Sequence, residues 1–114
     1  MGRRGIVARV IARGEVWTYR FKSPDKRRPV VILSRAEAID VLSTVLVAPV
    51  TSTIRDLPSQ VVIGRTEGLD HDSAISLDHV QCIDRARLIR RLGRVSSGRM
   101  REVCSALAIA TGCG

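Results

Sequence analysis

Residues 47–55 read Val47-Ala48-Pro49-Val50-Thr51-Ser52-Thr53-Ile54-Arg55, an apolar strand that runs directly into three hydroxyl side chains and an arginine. A buried strand has no internal reason to end in hydrogen-bond donors and a fixed positive charge. In a phosphate-binding site these groups have a function, because hydroxyl and guanidinium groups donate hydrogen bonds to phosphate oxygens. The stretch therefore predicts a strand whose end delivers polar groups to an anionic ligand.

A second stretch upstream carries its charges at the start of a strand. Arg27 and Arg28 precede Pro29 and the apolar run Val30 to Leu33. Because Pro29 restricts the backbone next to Arg28, we expect the Arg28 guanidinium to be held in place. We predict that Arg28 faces the strand end at Thr51 and that the two strands form one anion-binding site.

The charge of the chain favours a polyanionic partner. Its 114 residues include 19 basic and 11 acidic side chains, a formal net charge of +8, and 17 of the basic residues are arginine. Such a balance indicates nucleic acid, an acidic protein or both, with a merely soluble basic surface as the alternative. The length predicts a single domain.

The cysteines and the apolar runs predict a cytosolic protein without a metal. The three cysteines lack the spacing of a zinc site, so we expect reduced thiols in the core or the tail, and neither metal nor cofactor. No apolar run is long enough to span a membrane, and Arg9 and Arg13 interrupt any signal-peptide core.

Sequence periodicity predicts a mainly β fold with two helices. Strands are expected at 14–22, 30–33, 44–50, 60–63, 74–77, 79–83 and 88–95. A Ser34–Glu37 capping box predicts a short helix over 35–42. A second helix should begin at the N-cap Ser97 and end near Gly112, with an apolar stripe formed by Met100, Val103, Cys104, Leu107 and Ala108. On the first strand one face carries all three aromatic residues, for which core packing is favoured over base stacking: Trp17, Tyr19 and Phe21.

Five motifs, in order, resemble the MazF/PemK family of toxin endoribonucleases. They are Gly14-Glu15-Val16-Trp17, Arg27 to Ser34, Val47 to Arg55, Leu77 to Asp84 with Arg87-Leu88, and Gly93-Arg94-Val95. The resemblance implies a mainly β, α+β fold: a small SH3-like, strongly bent antiparallel barrel with a short helix after strand 2 or 3 and a C-terminal helix. It also implies a homodimer. The matching domain would be residues 13–114, preceded by a basic extension, 1–12, that is an extra strand, a disordered arm or a start-codon artefact.

The resemblance further implies a toxin that cuts single-stranded RNA, without a metal, to 2′,3′-cyclic phosphate and 5′-OH ends, and that a cognate acidic antitoxin neutralises. It assigns phosphate binding and transition-state stabilisation to Arg28, a phosphoryl hydrogen bond to Thr51, and a base or base-orienting role to Asp78. The RNA-binding residues would be Lys26, Arg27, Ser52, Thr53, Arg55 and Gln81. One branch of the family places an Arg where this chain has Ser76, so Arg28 should carry most of the transition-state charge.

Three alternatives stay open. A non-enzymatic poison of DNA gyrase would share this fold, and fold alone does not determine function. A basic RNA-binding module without catalysis is a further possibility. The two histidines, His71 and His79, allow a mechanism like that of ribonuclease A, but their flanking sequence gives it no support.

Overall fold

The computed structural model describes residues 10–20 and 27–113. Within these ranges the strands are β1 Glu15–Arg20, β2 Arg27–Ile32, β3 Thr44–Thr51, β4 Gln60–Ile63, β5 Ser73–Ser76, β6 Gln81–Asp84 and β7 Leu88–Arg94. The helices are α1 Ala36–Val41 and α2 Ser97–Thr111. Short 3₁₀ turns span Arg65–Glu67, Leu77–His79 and Arg85–Arg87. The predicted order of strands, short helix, strands and terminal helix is confirmed, with the short helix following the second strand.

The strands form one antiparallel sheet in the order β4-β5-β3-β2-β1-β7, and β6 pairs with β3 beside this path. β3 has two different partners on one edge. Its first half, Thr44 to Val47, pairs with β6, and its last residues, Val50 and Thr51, pair with Ile75 and Ala74 of β5. β3 is therefore the central strand of the fold, and only its C-terminal half lies beside β5.

Two hydrophobic clusters lie on opposite faces of the central strands. β2 contributes to both, because alternate residues of a strand point to opposite faces: Val31 belongs to the cluster under α2, whereas Val30 and Ile32 belong to the other. Trp17 and Tyr19 are 7% and 6% exposed in the second cluster, so their predicted core packing is confirmed. Phe21 lies outside the described residues.

The predicted N-caps of both helices were wrong in detail, whereas the predicted end of α2 at Gly112 is confirmed. The Ser34 hydroxyl accepts a hydrogen bond from the Leu46 amide (2.7 Å), so it is committed to the neighbouring strand and does not cap α1. The N-cap of α1 is Arg35, which makes no side-chain capping bond. At α2 the N-cap is Ser96, one residue before the predicted Ser97, and its hydroxyl accepts from the Arg99 amide at 3.2 Å.

α2 buries part of the predicted stripe: Met100 and Val103 are confirmed and Leu107 packs against the core, whereas Cys104 does not. Met100, Val103 and Ala106 face the core, whereas Cys104 is exposed and lies 3.2 Å from an Arg13 guanidinium nitrogen. The cysteines at 82 and 113 are exposed as well, and all three are free. A core position was wrong for Cys82 and Cys104, whereas Cys113 lies in the tail after α2. In the described part of the chain no helix has the length and apolar character needed to cross a membrane.

The N-terminal extension is described only from Val10 onward. Ile11 is 7% exposed and packs in the same cluster as Trp17. The Ala12 amide donates to Glu15 Oε1 (2.9 Å), and Glu15 also accepts from the Trp17 indole at 3.0 Å. The chain is thus fixed to the sheet by residue 11, just before the predicted start of the domain.

Candidate functional site

An open cavity of about 510 Å³ lies where the end of β3 meets β1, β2, β7 and the loop before β5. We call it the groove. Its polar lining consists of Thr18, Arg27, Arg28, Thr51, Ser52, Asp70, His71, Ser73 and Arg90. Guanidinium and hydroxyl groups dominate this lining, and Asp70 supplies its one carboxylate among the described residues. The groove is therefore suited to a phosphate-bearing ligand.

The pairing of β2 with β3 explains why Arg28 and Thr51 meet. Val30 is the partner of Pro49, and continuing this antiparallel register by two residues sets Arg28 beside Thr51. On its other side Arg28 pairs with Tyr19 of β1, whose side chain is buried. The backbone that carries the guanidinium is thus fixed between two strands. The sequence prediction that Arg28 and Thr51 share one site agrees with this geometry.

The hydroxyl of Thr51 is oriented by its own loop. The Thr53 amide donates to Thr51 Oγ1 at 3.1 Å, a local Ser/Thr turn. A hydroxyl has one proton and two lone pairs, so this bond leaves the proton of Thr51 free to donate to a phosphoryl oxygen. Gln60 holds the next residues: its Oε1 accepts from the Arg55 amide (2.8 Å) and its Nε2 donates to the Thr53 carbonyl (3.3 Å).

The opposite wall of the groove is rigid because backbone packs on backbone. Gly68 has a φ of +96°, and a Cβ there would overlap the Leu92 carbonyl. A Cβ on Gly93 would likewise overlap the carbonyl of Glu67. The Glu67 side chain is itself buried and accepts from the Gly64 amide at 2.7 Å. This contact between the loop and β7 fixes the start of the loop that carries Asp70 and His71.

Five polar residues of the groove are not among the predicted site residues, although His71 was considered together with His79: Thr18, Asp70, His71, Ser73 and Arg90. Thr18 pairs with Arg90 across β1 and β7, and its hydroxyl accepts from the Arg90 amide at 3.1 Å. The alternation that predicts burial of Trp17 and Tyr19 also assigns Thr18 to the opposite face, which is a usable signal. Asp70 and His71 carry no such signal, because polar and apolar residues do not alternate regularly in their loop.

Four predicted residues do not line the groove. Thr53 and Arg55 are exposed in the loop just beyond Thr51. Gln81 pairs with Val47, four residues from Thr51 along β3, or about 13 Å at about 3.3 Å per residue. Asp78 lies in the turn before β6, where its carboxylate accepts from the Ser59 hydroxyl at 2.5 Å. Lys26 lies outside the described residues. The RNA-binding roles of these residues and the catalytic role of Asp78 stay predictions.

Ser59 and Asp78 belong to a second polar cluster, which we call the paired corner: Ser59, Ser76, Asp78 and His79. The Ser76 hydroxyl and His79 Nδ1 are hydrogen bonded at 2.7 Å. Ser76, where one branch of the family has an Arg, is buried. Only His71 of the two histidines lines the groove, so they do not form a two-histidine site there. Among the described residues no group of three His, Cys, Asp or Glu side chains is placed to hold a metal.

Both sequence and fold match proteins of one family. A family model described as PemK-like, MazF-like toxin of type II toxin–antitoxin system matches residues 12–111. The probable endoribonuclease MazF5 of Mycobacterium tuberculosis is 47% identical over 103 residues, covering 90% of this chain and 94% of that protein.

Solved structures give the same result. The Mycobacterium tuberculosis toxin MazF-mt6 has a TM-score of 0.81 at 30% identity, covering 88% of this chain and 98% of that one. A MazE–MazF structure from Deinococcus radiodurans has a TM-score of 0.77 at 25% identity, covering 94% and 100%. The chain therefore belongs to the PemK-like, MazF-like family of toxins from type II toxin–antitoxin systems.

Proposed function

We propose that this chain is a sequence-selective endoribonuclease that cuts single-stranded RNA in the groove, as the toxin of a toxin–antitoxin pair. The observation that carries the proposal is the convergence of Arg28 and Thr51 in an open, arginine-rich cavity. The name of MazF5 as a probable endoribonuclease supports the activity. A single-stranded substrate is favoured because its bases can be splayed out and read, whereas the bases of a helix cannot.

The proposed reaction is a transesterification that needs no metal. The 2′-oxygen attacks the adjacent phosphorus, negative charge accumulates on the phosphoryl oxygens, and the bond to the 5′-oxygen breaks. Arg28 donates to the phosphoryl oxygens and stabilises this charge, and the hydroxyl of Thr51 donates a further hydrogen bond. The products are a 2′,3′-cyclic phosphate and a 5′-OH end.

Arg27, Ser52 and Arg90 are proposed to bind the RNA on either side of the scissile phosphate. If Arg27, Arg28 and Arg90 each neutralise one phosphate, the logarithm of RNA affinity should fall with the logarithm of salt concentration with a slope of about −2. A flat salt response would contradict the proposed phosphate contacts.

The proposed partners follow from the same charge. An acidic, partly disordered antitoxin segment would fold across the basic groove and compete with RNA. The MazE–MazF structure from Deinococcus radiodurans supports a protein partner of this kind. We propose that the chain acts as a homodimer in the cytoplasm, where two copies would combine their charges of +8 each.

The test is incubation of the purified chain with a long RNA in EDTA. We expect discrete cleavage sites with 5′-OH ends, which polynucleotide kinase labels without prior phosphatase treatment. An Arg28→Ala/Thr51→Val double variant, purified in parallel, should leave the RNA intact and so controls for contaminating nuclease. Intact RNA together with trapped gyrase–DNA complexes would indicate the gyrase poison instead. RNA that is bound but never cut would indicate a binding module.

A further inference from the structure

The geometry points to His71 as the general acid that protonates the departing 5′-oxygen, an inference that rests on the endoribonuclease function proposed above. His71 lines the same groove as Arg28 and Thr51. The register explains this position: Thr51 pairs with Ala74 of β5, and His71 lies three residues before Ala74 along the chain. The loop that leads into β5 is thereby brought to the end of β3.

The backbone on both sides of His71 is anchored. Leu69 is 9% exposed and packs in the cluster under α2. Ser73 is 4% exposed, and its hydroxyl donates to the carbonyl of His71 at 3.3 Å. Asp72 is turned toward Gly64, since its Oδ1 would lie 2.6 Å from a Cβ placed there. His71 is thus held at a fixed place while its own side chain is exposed to the groove.

The two histidines differ in what their rings contact. Across residues 10–20 and 27–113, the His71 imidazole has no hydrogen-bond partner, whereas His79 Nδ1 is bonded to Ser76. His79 also lies outside the groove lining. A ring that is positioned by its backbone but left without a partner is available to a substrate atom. One nitrogen of the His79 ring, Nδ1, is already bonded to a hydroxyl of the protein.

Chemistry also selects His71 among the groups that line the groove. Guanidinium groups do not give up a proton in proteins, so the arginines bind charge but make poor acids. Histidine is the side chain whose ordinary charge change falls between pH 5 and 8, which suits proton transfer near neutrality. Within the described part of the chain, the charged groups that share the cavity with His71 are Asp70 of its own loop, Arg27 and Arg28 of β2, and Arg90 of β7.

Atoms and electrons balance in the proposed step. The 2′-oxygen forms the new bond to phosphorus and loses its proton to water in the open groove. The phosphorus–5′-oxygen bond breaks, and its electron pair takes the proton of the His71 imidazolium. The neutral imidazole then regains a proton from solvent. No oxidant, metal or co-reactant is required.

The decisive experiment compares His71→Gln with the matched control His79→Gln on two substrates. Both carry the mapped cleavage site, one with the natural 5′-oxygen and one with a 5′-sulfur at the leaving position. A sulfur leaving group departs without protonation. We expect His71→Gln to cut the natural RNA about 10²-fold more slowly, in the range of general acid catalysis, and to cut the 5′-thio RNA as fast as wild type. His79→Gln should match wild type on both.

Three results would overturn the inference. Unchanged cleavage of the natural RNA by His71→Gln removes any role for the residue. An equal loss on both substrates assigns His71 to binding or positioning. Cleavage of the natural RNA by His71→Gln with the same dependence of rate on pH as wild type shows that another group supplies the proton. In all three cases wild type still cuts RNA, so the proposed function survives. Failure of wild type itself to cut would reject both.

Discussion

The groove and the paired corner contain similar side chains in opposite situations. Each has hydroxyls, a histidine and a carboxylate within a few residues of a strand end. In the paired corner the side chains bind one another, Ser59 to Asp78 and Ser76 to His79. In the groove the arginines and His71 face open space.

This difference shows how a site is distinguished from a structural polar cluster. Polar side chains that hydrogen bond to one another stabilise a turn and leave fewer donors and acceptors for a ligand. Polar groups that are positioned by the backbone and left without internal partners remain available to bind a substrate. Substitutions in each region test whether the groove reacts with RNA and the paired corner only stabilises the fold.

The largest expected effect is that of Arg28→Ala in the groove. Loss of one preorganised donor to the developing charge should lower kcat for RNA cleavage about 10²–10³-fold. Single-turnover cleavage of a mapped RNA measures this directly. Arg101→Ala, on the exposed face of α2, is the matched control and should leave the rate unchanged. A loss below threefold in Arg28→Ala would remove this residue from the proposed chemistry.

Next in size is the effect of Gly68→Ala on the wall of the groove. Its φ of +96° and the overlap of a Cβ with the Leu92 carbonyl should lower the free energy of unfolding by about 3 kcal/mol. Urea denaturation measures the change. Gly98→Ala in α2 is the control, because a Cβ there would have no neighbour within 4 Å and alanine favours a helix, so it should be neutral or stabilising. Equal stability of the two variants would show that the wall is not held by this backbone contact.

Thr51→Val should have a smaller effect, confined to the reaction. The variant keeps the shape of the side chain and removes the hydroxyl, so a hydrogen bond to a charged group is lost, about 1.5–3 kcal/mol or roughly 10–100-fold in kcat/KM. Thr44→Val, at the far end of the same strand, should cut RNA at the wild-type rate. Comparable losses in both variants would indicate damage to β3 rather than loss of a phosphate contact.

The smallest expected effect is that of Asp78→Asn in the paired corner. Weakening the bond to Ser59 should lower the free energy of unfolding by about 1 kcal/mol and leave cleavage within about threefold of wild type. Thermal unfolding of this variant, of Ser59→Ala and of the double variant gives the coupling between the two side chains. A hundredfold loss of cleavage by folded Asp78→Asn would instead support the catalytic role inferred from the family resemblance.

Most of the strands could be predicted from the sequence, because the alternation of apolar and polar residues is a local signal. It predicted that Trp17 and Tyr19 are buried, and it placed Arg28 opposite Thr51 because both flank apolar strands that pair. It could not place Asp78, since the motif around it gives no information about where β6 pairs. β6 pairs with the first half of β3, and Thr51 ends the second half.

The position of His71 in the groove and the N-caps of the helices could not be predicted from the sequence, for a related reason. The loop before β5 has no period, and its position depends on a pairing, Thr51 with Ala74, that joins distant parts of the chain. Ser34 and Glu37 had the spacing of a capping box, but a tertiary hydrogen bond from Leu46 took the serine hydroxyl. Local patterns fail where a long-range partner competes for the same atom.

The amide of Gln60 has a consequence for how this toxin could diversify. It bonds the Arg55 N–H and the Thr53 carbonyl, as the backbone of an adjacent strand would, so the Thr51 turn is held as far as Arg55. Beyond it, Asp56 adopts a φ of +55°, and residues 56–58 are exposed. Insertions next to Asp56 should therefore change the length and composition of the surface beside the groove without moving Thr51. The Gln60 side chain thus fixes the turn from Thr51 to Arg55, while the exposed chain beside Asp56 can change in length.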